Sequence, residues 1–292
     1  MRRFSAIARA AVIETMSQPL SAILFSVATL AVHLLPAFQY HRFGAPGRLA
    51  RETGMSALFV FGLIFAVPAA VRAIGRELDT GIAASALALG VSRTLYFVGR
   101  LAGVLAVFAM FFVAVFLASA LSSFSCMKAA SFIEGEGVAR VWGPAFAIGT
   151  SGPILAFAVA AVLNRFACCR FCMWTCILAT AFQLPGLALL EGIAPLAAAL
   201  PAFCALAAAC AVYVTMAAAL STRLKVNGVT ACIVAAVACG FFVPVKFLLP
   251  DLRVFWLAEG DAAATMPILA GMFLMAIWII LGCVSLEKKE LE

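Results

Sequence analysis

The feature that most constrains this chain is a succession of apolar runs, each close to the length of a lipid bilayer. Eight can be marked off: residues 20–38, 54–71, 97–124, 141–163, 171–190, 195–220, 229–249 and 266–286. A helix that crosses a membrane needs about 20 mostly apolar residues. Inside lipid the backbone must satisfy its own hydrogen bonds, which leaves helices or closed barrels. The runs are continuous rather than alternating, which selects helices. Charges enter them only near their ends, at Arg100 and Lys246, as expected where a central charge costs about 2.5–3.5 kcal/mol. Composition agrees. The chain is 66% hydrophobic and 11% charged, against roughly 45–50% and about 25% in soluble domains. Too few charges remain to cover a water-facing surface. The expected fold is therefore all-α and polytopic, a single transmembrane domain over residues 1–292 with about eight spans. The connection Glu191-Gly192-Ile193-Ala194-Pro195 between the fifth and sixth runs is very short. If that pair is partly re-entrant, the count falls to six or seven.

Basic residues orient the spans. With the N-terminus inside, the cytoplasmic side carries Arg2, Arg3, Arg9, Arg72, Arg76, Arg93, Arg100, Arg165, Arg170, Arg223, Lys225, Lys288 and Lys289. The opposite side carries Arg42, Arg48, Arg51, Lys128, Arg140, Lys246 and Arg253. The excess favours both ends in the cytoplasm, although three arginines between Tyr40 and Glu52 pull the other way. The net charge of +7 reflects these scattered connections. No basic, aromatic-interleaved stretch follows a phosphate backbone, so nucleic acid is not an expected partner. Arg9, Glu14 and Gln18 interrupt the first apolar stretch, so the start reads as a retained interfacial segment, residues 1–19, rather than a cleaved signal. Pro68, Pro153, Pro185, Pro201 and Pro244 fall within spans. Each removes a backbone donor and marks a kink that neighbouring helices repair or that serves as a hinge.

One connection is unlike the others. Between the second and third runs, residues 72–103 are amphipathic rather than simply polar. Arg76, Glu77 and Asp79 open the segment, and Leu78, Ile82, Leu87 and Leu89 supply apolar contacts. Gly81 and Gly90 interrupt it, and Ser92, beside Arg93, is placed to cap the next helix. The expectation is a short helix along the cytoplasmic membrane surface, then a turn, then a re-entering helix.

This pattern resembles the cytoplasmic coupling loop of type-2 ABC exporter permeases. That family shows a Glu, a Gly-Thr a few residues later, a Leu-rich turn, a Pro-Val-Ser-Arg element and a Tyr-x-x-Gly-Lys element. Glu77, Gly81, Leu87 and Leu89 take the first positions, Val91, Ser92 and Arg93 match Val-Ser-Arg, and Tyr96, Gly99 and Arg100 match the last element with Arg for Lys. Gly90 stands where the family has Pro, and Ile82 where it has Thr. Ala6 to Gln18, with Glu14 and Pro19 before the first span, is similar to the interfacial segment of such permeases. The resemblance covers about 30 residues of loop; the remainder is alike in hydropathy and layout.

What the resemblance implies is concrete. The chain would be the membrane-spanning subunit of an ATP-binding cassette exporter in a bacterial inner membrane. It would pair with a second permease, identical or paralogous, and with a separate ATP-binding subunit carrying ATP and Mg. Residues 75–103 would transmit the stroke, with exposed Arg76 and Glu77 docking on that subunit. The chain has no Gly-x-x-x-x-Gly-Lys-Ser/Thr loop of its own, so it is not expected to be an enzyme or to hold a cofactor. The alternative is a non-transporting membrane scaffold or assembly factor, which the same composition would serve. Gly99 and Gly103 have the Gly-x-x-x-Gly spacing of close helix approach, here read as internal packing.

Other constellations are thinner. Cys168, Cys169, Cys172 and Cys176 include a Cys-x-x-Cys spacing, and Cys168, Cys172 and Cys176 would share one helical face. They are the candidates for a metal site. The competing reading is inert thiols used as small apolar fillers. His33 and His41 have no sequence-local carboxylate or thiol to make a nucleophile–base pair. Asn164 and Gln183 read as structural hydrogen-bonding groups.

Overall fold

The computed structural model describes residues 2–38, 47–88, 90–131, 141–190, 194–242, 250 and 265–289. Among these there are helices and no strands. The chain is an all-α polytopic membrane protein. Helix α1 spans Arg2–Met16, α2 Pro19–Ala37 and α3 Arg48–Val71. Helix α3 continues through a π-helical turn, Arg72–Arg76, into Glu77–Asp79. Then come α4 (Ile82–Ala88), α5 (Arg93–Ser131), α6 (Gly143–Ala167) and α7 (Phe171–Ala181), the last followed by a 3₁₀ stretch, Leu184–Leu189. Helices α8 (Ala194–Leu220), α9 (Val226–Phe242) and α10 (Thr265–Glu287) complete the order.

Seven of the described helical stretches are long and apolar enough to cross a membrane; α9, at 17 residues, is the shorter remainder. The fifth predicted run is not one α-helix. Pro185 sits in the first turn of the 3₁₀ piece, where it cannot donate the bond that would extend α7. An α-helix of 11 residues and a 3₁₀ stretch of 6 reach about 28 Å together, close to the hydrocarbon thickness.

The contacts form two compact units. One comprises Met1–Thr15, Leu63–Phe108 and Cys204–Glu292; the other comprises Met16–Gly62 and Ala109–Phe203. All four boundaries fall inside helices: α1, α3, α5 and α8.

In the first unit small residues set the helix directions. A side chain added at Gly271 would meet the Ala208 side chain at 3.0 Å. Farther along the same two helices, the Thr222 and Ser285 hydroxyls hydrogen-bond at 2.8 Å. Both pairs are offset by 63 residues, so α8 and α10 run parallel. The intervening chain must return across the membrane, and α9 begins that return. Gly282 lies against the Phe97 ring, and Arg93 reaches the end of α10, so α5 runs antiparallel to α10. Arg3 of α1 hydrogen-bonds the Gly90 carbonyl. The start of α1, the 72–93 segment and the end of α10 therefore share one side of this unit. Helix α8 is the buried centre and α10 the periphery: 78% of the apolar window of α8 is covered against 17% for α10.

In the second unit α2, α6 and α7 pack together around polar and small positions. Phe25 meets Phe111 edge-on at 5.0 Å, and Phe116 meets Phe203 at 5.3 Å. Gly54 admits the Ser119 and Phe203 side chains, and Gly186 admits Leu121. Such residues let backbones approach where apolar burial gives no net drive between helices in lipid.

Candidate functional site

The 72–93 segment is held at both ends by polar anchors, and the first is a buried charge cluster. Glu77 is 6% exposed and Arg100 8%. One Glu77 carboxylate oxygen pairs with Arg100 Nη2, and the other accepts from the Tyr96 hydroxyl. Arg100 Nη1 donates to Glu14 Oε2 at 2.9 Å, so a single guanidinium serves two carboxylates. Tyr96 and Arg100 lie one turn apart on α5 and face the same way. The guanidinium also stands 5.9 Å from the Tyr96 ring centroid, within cation–π range. A buried carboxylate is tolerated because two donors replace its water.

Helix α1 reaches this cluster because Gly99 and Gly103 give it room. A Cβ at Gly99 would meet Ile7, and one at Gly103 would fall 2.6 Å from the Ala8 carbonyl oxygen. The Gly-x-x-x-Gly spacing thus serves packing of α1 on α5. With α1 seated there, Glu14 faces Arg100 and Arg3 donates to the Gly90 carbonyl at 2.8 Å.

The second anchor is Arg93. Its Nη1 donates to the carbonyls of Leu286, Glu287 and Lys289 at 3.2, 2.8 and 2.7 Å. These belong to the last turn of α10, where free carbonyls and the helix dipole favour a cation. Thr94 adds a hydrogen bond to Glu287 at 2.9 Å. Ser92 caps α5, its Oγ accepting from the Leu95 N–H at 3.2 Å.

Between the anchors stands α4. Glycines bound it at both ends, Gly81 at φ 76° and Gly90 at φ 77°, in the left-handed region that glycine adopts without penalty. Of α4 only Ala83 is buried. Ile82 is 54% exposed, Leu87 is half-buried, and Arg76, Asp79 and Thr80 are exposed. Leu89 lies outside the described residues.

One expectation is corrected. Glu77 is not an exposed docking charge: it faces inward to Tyr96 and Arg100, leaving Arg76 and Asp79 as the exposed charges of that turn. Arg93 is likewise committed to the C-terminus of α10 rather than free. At Gly90, where the resembled family has Pro, φ is 77°, which proline cannot reach. Tyr96, Gly99 and Arg100, matched as one element, do converge, and Val91 is half-buried beside them. Sequence reasoning missed the partners that come from far away, namely Arg3, Glu14 and the carbonyls of α10. The one visible signal was Glu14, an acid interrupting an apolar stretch.

The cysteine patch does not share one face. Cys168 is the left-handed residue that ends α6, with φ 51°, and α7 starts only at Phe171. Cys172 and Cys176 share a face of α7, and Cys176 is buried. Cys169 offers its carbonyl to Asn164 Nδ2 at 2.7 Å. Among the described residues no three or more His, Cys, Asp or Glu side chains are grouped to hold a metal. His33 is buried in the second unit, where its Nε2 lies 3.2 Å from Gln183 Oε1, and its ring fills the space over Gly149. His41 lies outside the described residues.

No protein-family profile matches the chain, and no characterised protein or solved structure does so either.

Proposed function

We propose that the chain is the membrane-spanning permease subunit of an ATP-binding cassette exporter, with α4 as the element that receives force from a separate ATPase. The observation that carries this reading is the construction of the 72–93 segment. A short exposed helix, pivoted on a glycine at each end, is tied to α5 and α1 on one side by Glu77, Tyr96, Arg100 and Glu14. On the other side it is tied to the end of α10 by Arg93. A solvated loop that only orients spans needs neither anchor. A lever needs both, because force on α4 is transmitted only if its ends are fixed to the helices that must move. The resemblance of Glu77, Gly81, Val91-Ser92-Arg93 and Tyr96-x-x-Gly99-Arg100 to permease coupling loops supports the same reading. With both termini cytoplasmic, α4 faces the compartment that holds ATP. The membrane proposed is the bacterial inner membrane, and the partners are the ATPase and a second permease.

The test uses the exposed face of α4 and the exposed charges of the turn before it, because the anchors are structural. Ile82→Asp and a paired Arg76→Glu/Asp79→Lys variant should insert and purify normally. Both should lose co-purification of a cassette ATPase from native membranes, and both should lose transport-coupled ATP hydrolysis. Full ATPase capture by both variants would refute the docking role of α4. If no cassette ATPase is captured by the wild-type chain from its native membrane, the scaffold reading replaces this one.

A further inference from the structure

In the first unit an apolar cavity of about 680 Å³ opens between α3 and α9, within the size range of small-ligand sites. Leu63, Val67, Val71, Ile233 and Val237 are among its walls, and the polar residues on it are Arg72 and Thr230. Thr230 spends its hydroxyl on the Val226 carbonyl at 2.9 Å. Arg72 is half-buried, and its Nε donates a long hydrogen bond to the Pro68 carbonyl, 3.4 Å. Among the described residues no carboxylate forms an ion pair with it.

The cavity is polarised. Arg72 and Val226 mark one end, and Leu63 and Val237 the other. At the Arg72 end the first turn of α9 presents free N–H groups and a positive dipole. Lys225 directly precedes that turn, and Arg76 lies one turn beyond Arg72. From Leu63 to Arg72, and from Val226 to Val237, the helices rise about 14–17 Å, half of a hydrocarbon core of about 30 Å. The groove is thus one leaflet deep, apolar along its length and cationic at the surface end.

We propose that this groove binds one acyl chain of an anionic phospholipid, with the phosphate held by Arg72 and the N-terminal turn of α9. A second copy of the chain fits less well. A two-fold axis along the membrane normal keeps equivalent residues at equal depth, so copies meeting at this groove would bring two Arg72 guanidiniums to one level, and no residue lining the groove is an acid. A phospholipid supplies the missing negative charge and the apolar filling together.

The protein, purified in mild detergent, is titrated with dioleoyl-phosphatidylglycerol and dioleoyl-phosphatidylcholine, and bound lipid is counted by native mass spectrometry. One basic side chain at the surface favours the anionic lipid by roughly five-fold, and that preference is expected for the wild type. Arg72→Gln should abolish the preference while leaving a chain-length-dependent residue of binding. Val234→Trp, at a lining position 63% exposed, should block binding of both lipids. Ile154→Trp, equally exposed but on α6, should change nothing. Equal binding of the two lipids by the wild type, or an unchanged preference in Arg72→Gln, overturns the proposal. So does efficient cross-linking of Val234→Cys to a second copy in native membranes, which would give the groove to a dimer. The Arg72→Gln comparison stands by itself if the Trp variant fails to fold.

Discussion

The charge cluster beneath α4 makes a ranked prediction about stability. Arg100 is shared between Glu77, whose side chain is 8% exposed, and Glu14, whose side chain is 43% exposed. Arg100→Leu strips the buried Glu77 carboxylate of its cation and leaves only the Tyr96 hydroxyl. Breaking a buried pair from one side costs about 3–5 kcal/mol. Glu77→Gln is milder. The amide still accepts from Tyr96, and Arg100 keeps Glu14, so the expected loss is about 1–3 kcal/mol. Glu14→Gln removes a half-exposed partner, where screening leaves about 0–1 kcal/mol. A double Glu77→Leu/Arg100→Leu variant removes both charges and should recover much of the Arg100→Leu loss. The assay is thermal unfolding in detergent, read by tryptophan fluorescence and by reactivity of buried cysteines. Equal midpoints for Arg100→Leu and Glu14→Gln would refute the assignment, because they would mean that Glu77 does not depend on Arg100. A double variant less stable than Arg100→Leu alone would refute the electrostatic account of the loss and leave packing as its cause.

Gly103→Leu places a side chain where the Ala8 carbonyl and Ala11 now sit; it should unseat α1, seen as faster trypsin cleavage after Arg9 with the spans intact. Gly90→Pro restores the residue usual in the resembled family but forbids the observed φ of 77°; it should destabilise the chain by about 1–3 kcal/mol and weaken ATPase coupling, whereas Gly90→Asn should do so less. Gly149→Leu drives into the His33 ring and should cost about 1–3 kcal/mol, while a paired His33→Ala should relieve part of that loss.

How much of this was legible beforehand follows from what each feature depends on. The glycine breaks at 81 and 90, the Ser92 cap and the interrupted helix at Pro185 are local: each depends on the φ range or hydrogen-bonding group of one residue and its near neighbours. The pairing of Glu77 with Arg100 and Tyr96 is not local. Glu77 directly follows exposed Arg76 and stands two residues before exposed Asp79, and nothing in that stretch tells which of the three acids and bases turns inward. That choice belongs to α5, whose Tyr96 and Arg100 offer two donors at one height. The same holds for Arg93, which would read as a free surface cation until the end of α10 is seen beside it.

By itself the sequence determined that the chain lives in lipid, that its spans are helices, and that one connection is built differently from the rest. Transfer cost and backbone satisfaction act residue by residue, so they are written in composition and run length. The tertiary structure alone decided which charges of that connection are structural and which are offered outward. It also decided that an arginine with no ion pair among the described residues closes an apolar groove. Those outcomes depend on partners up to nearly two hundred residues away, as with Arg93 and Lys289, brought together only when the helices pack.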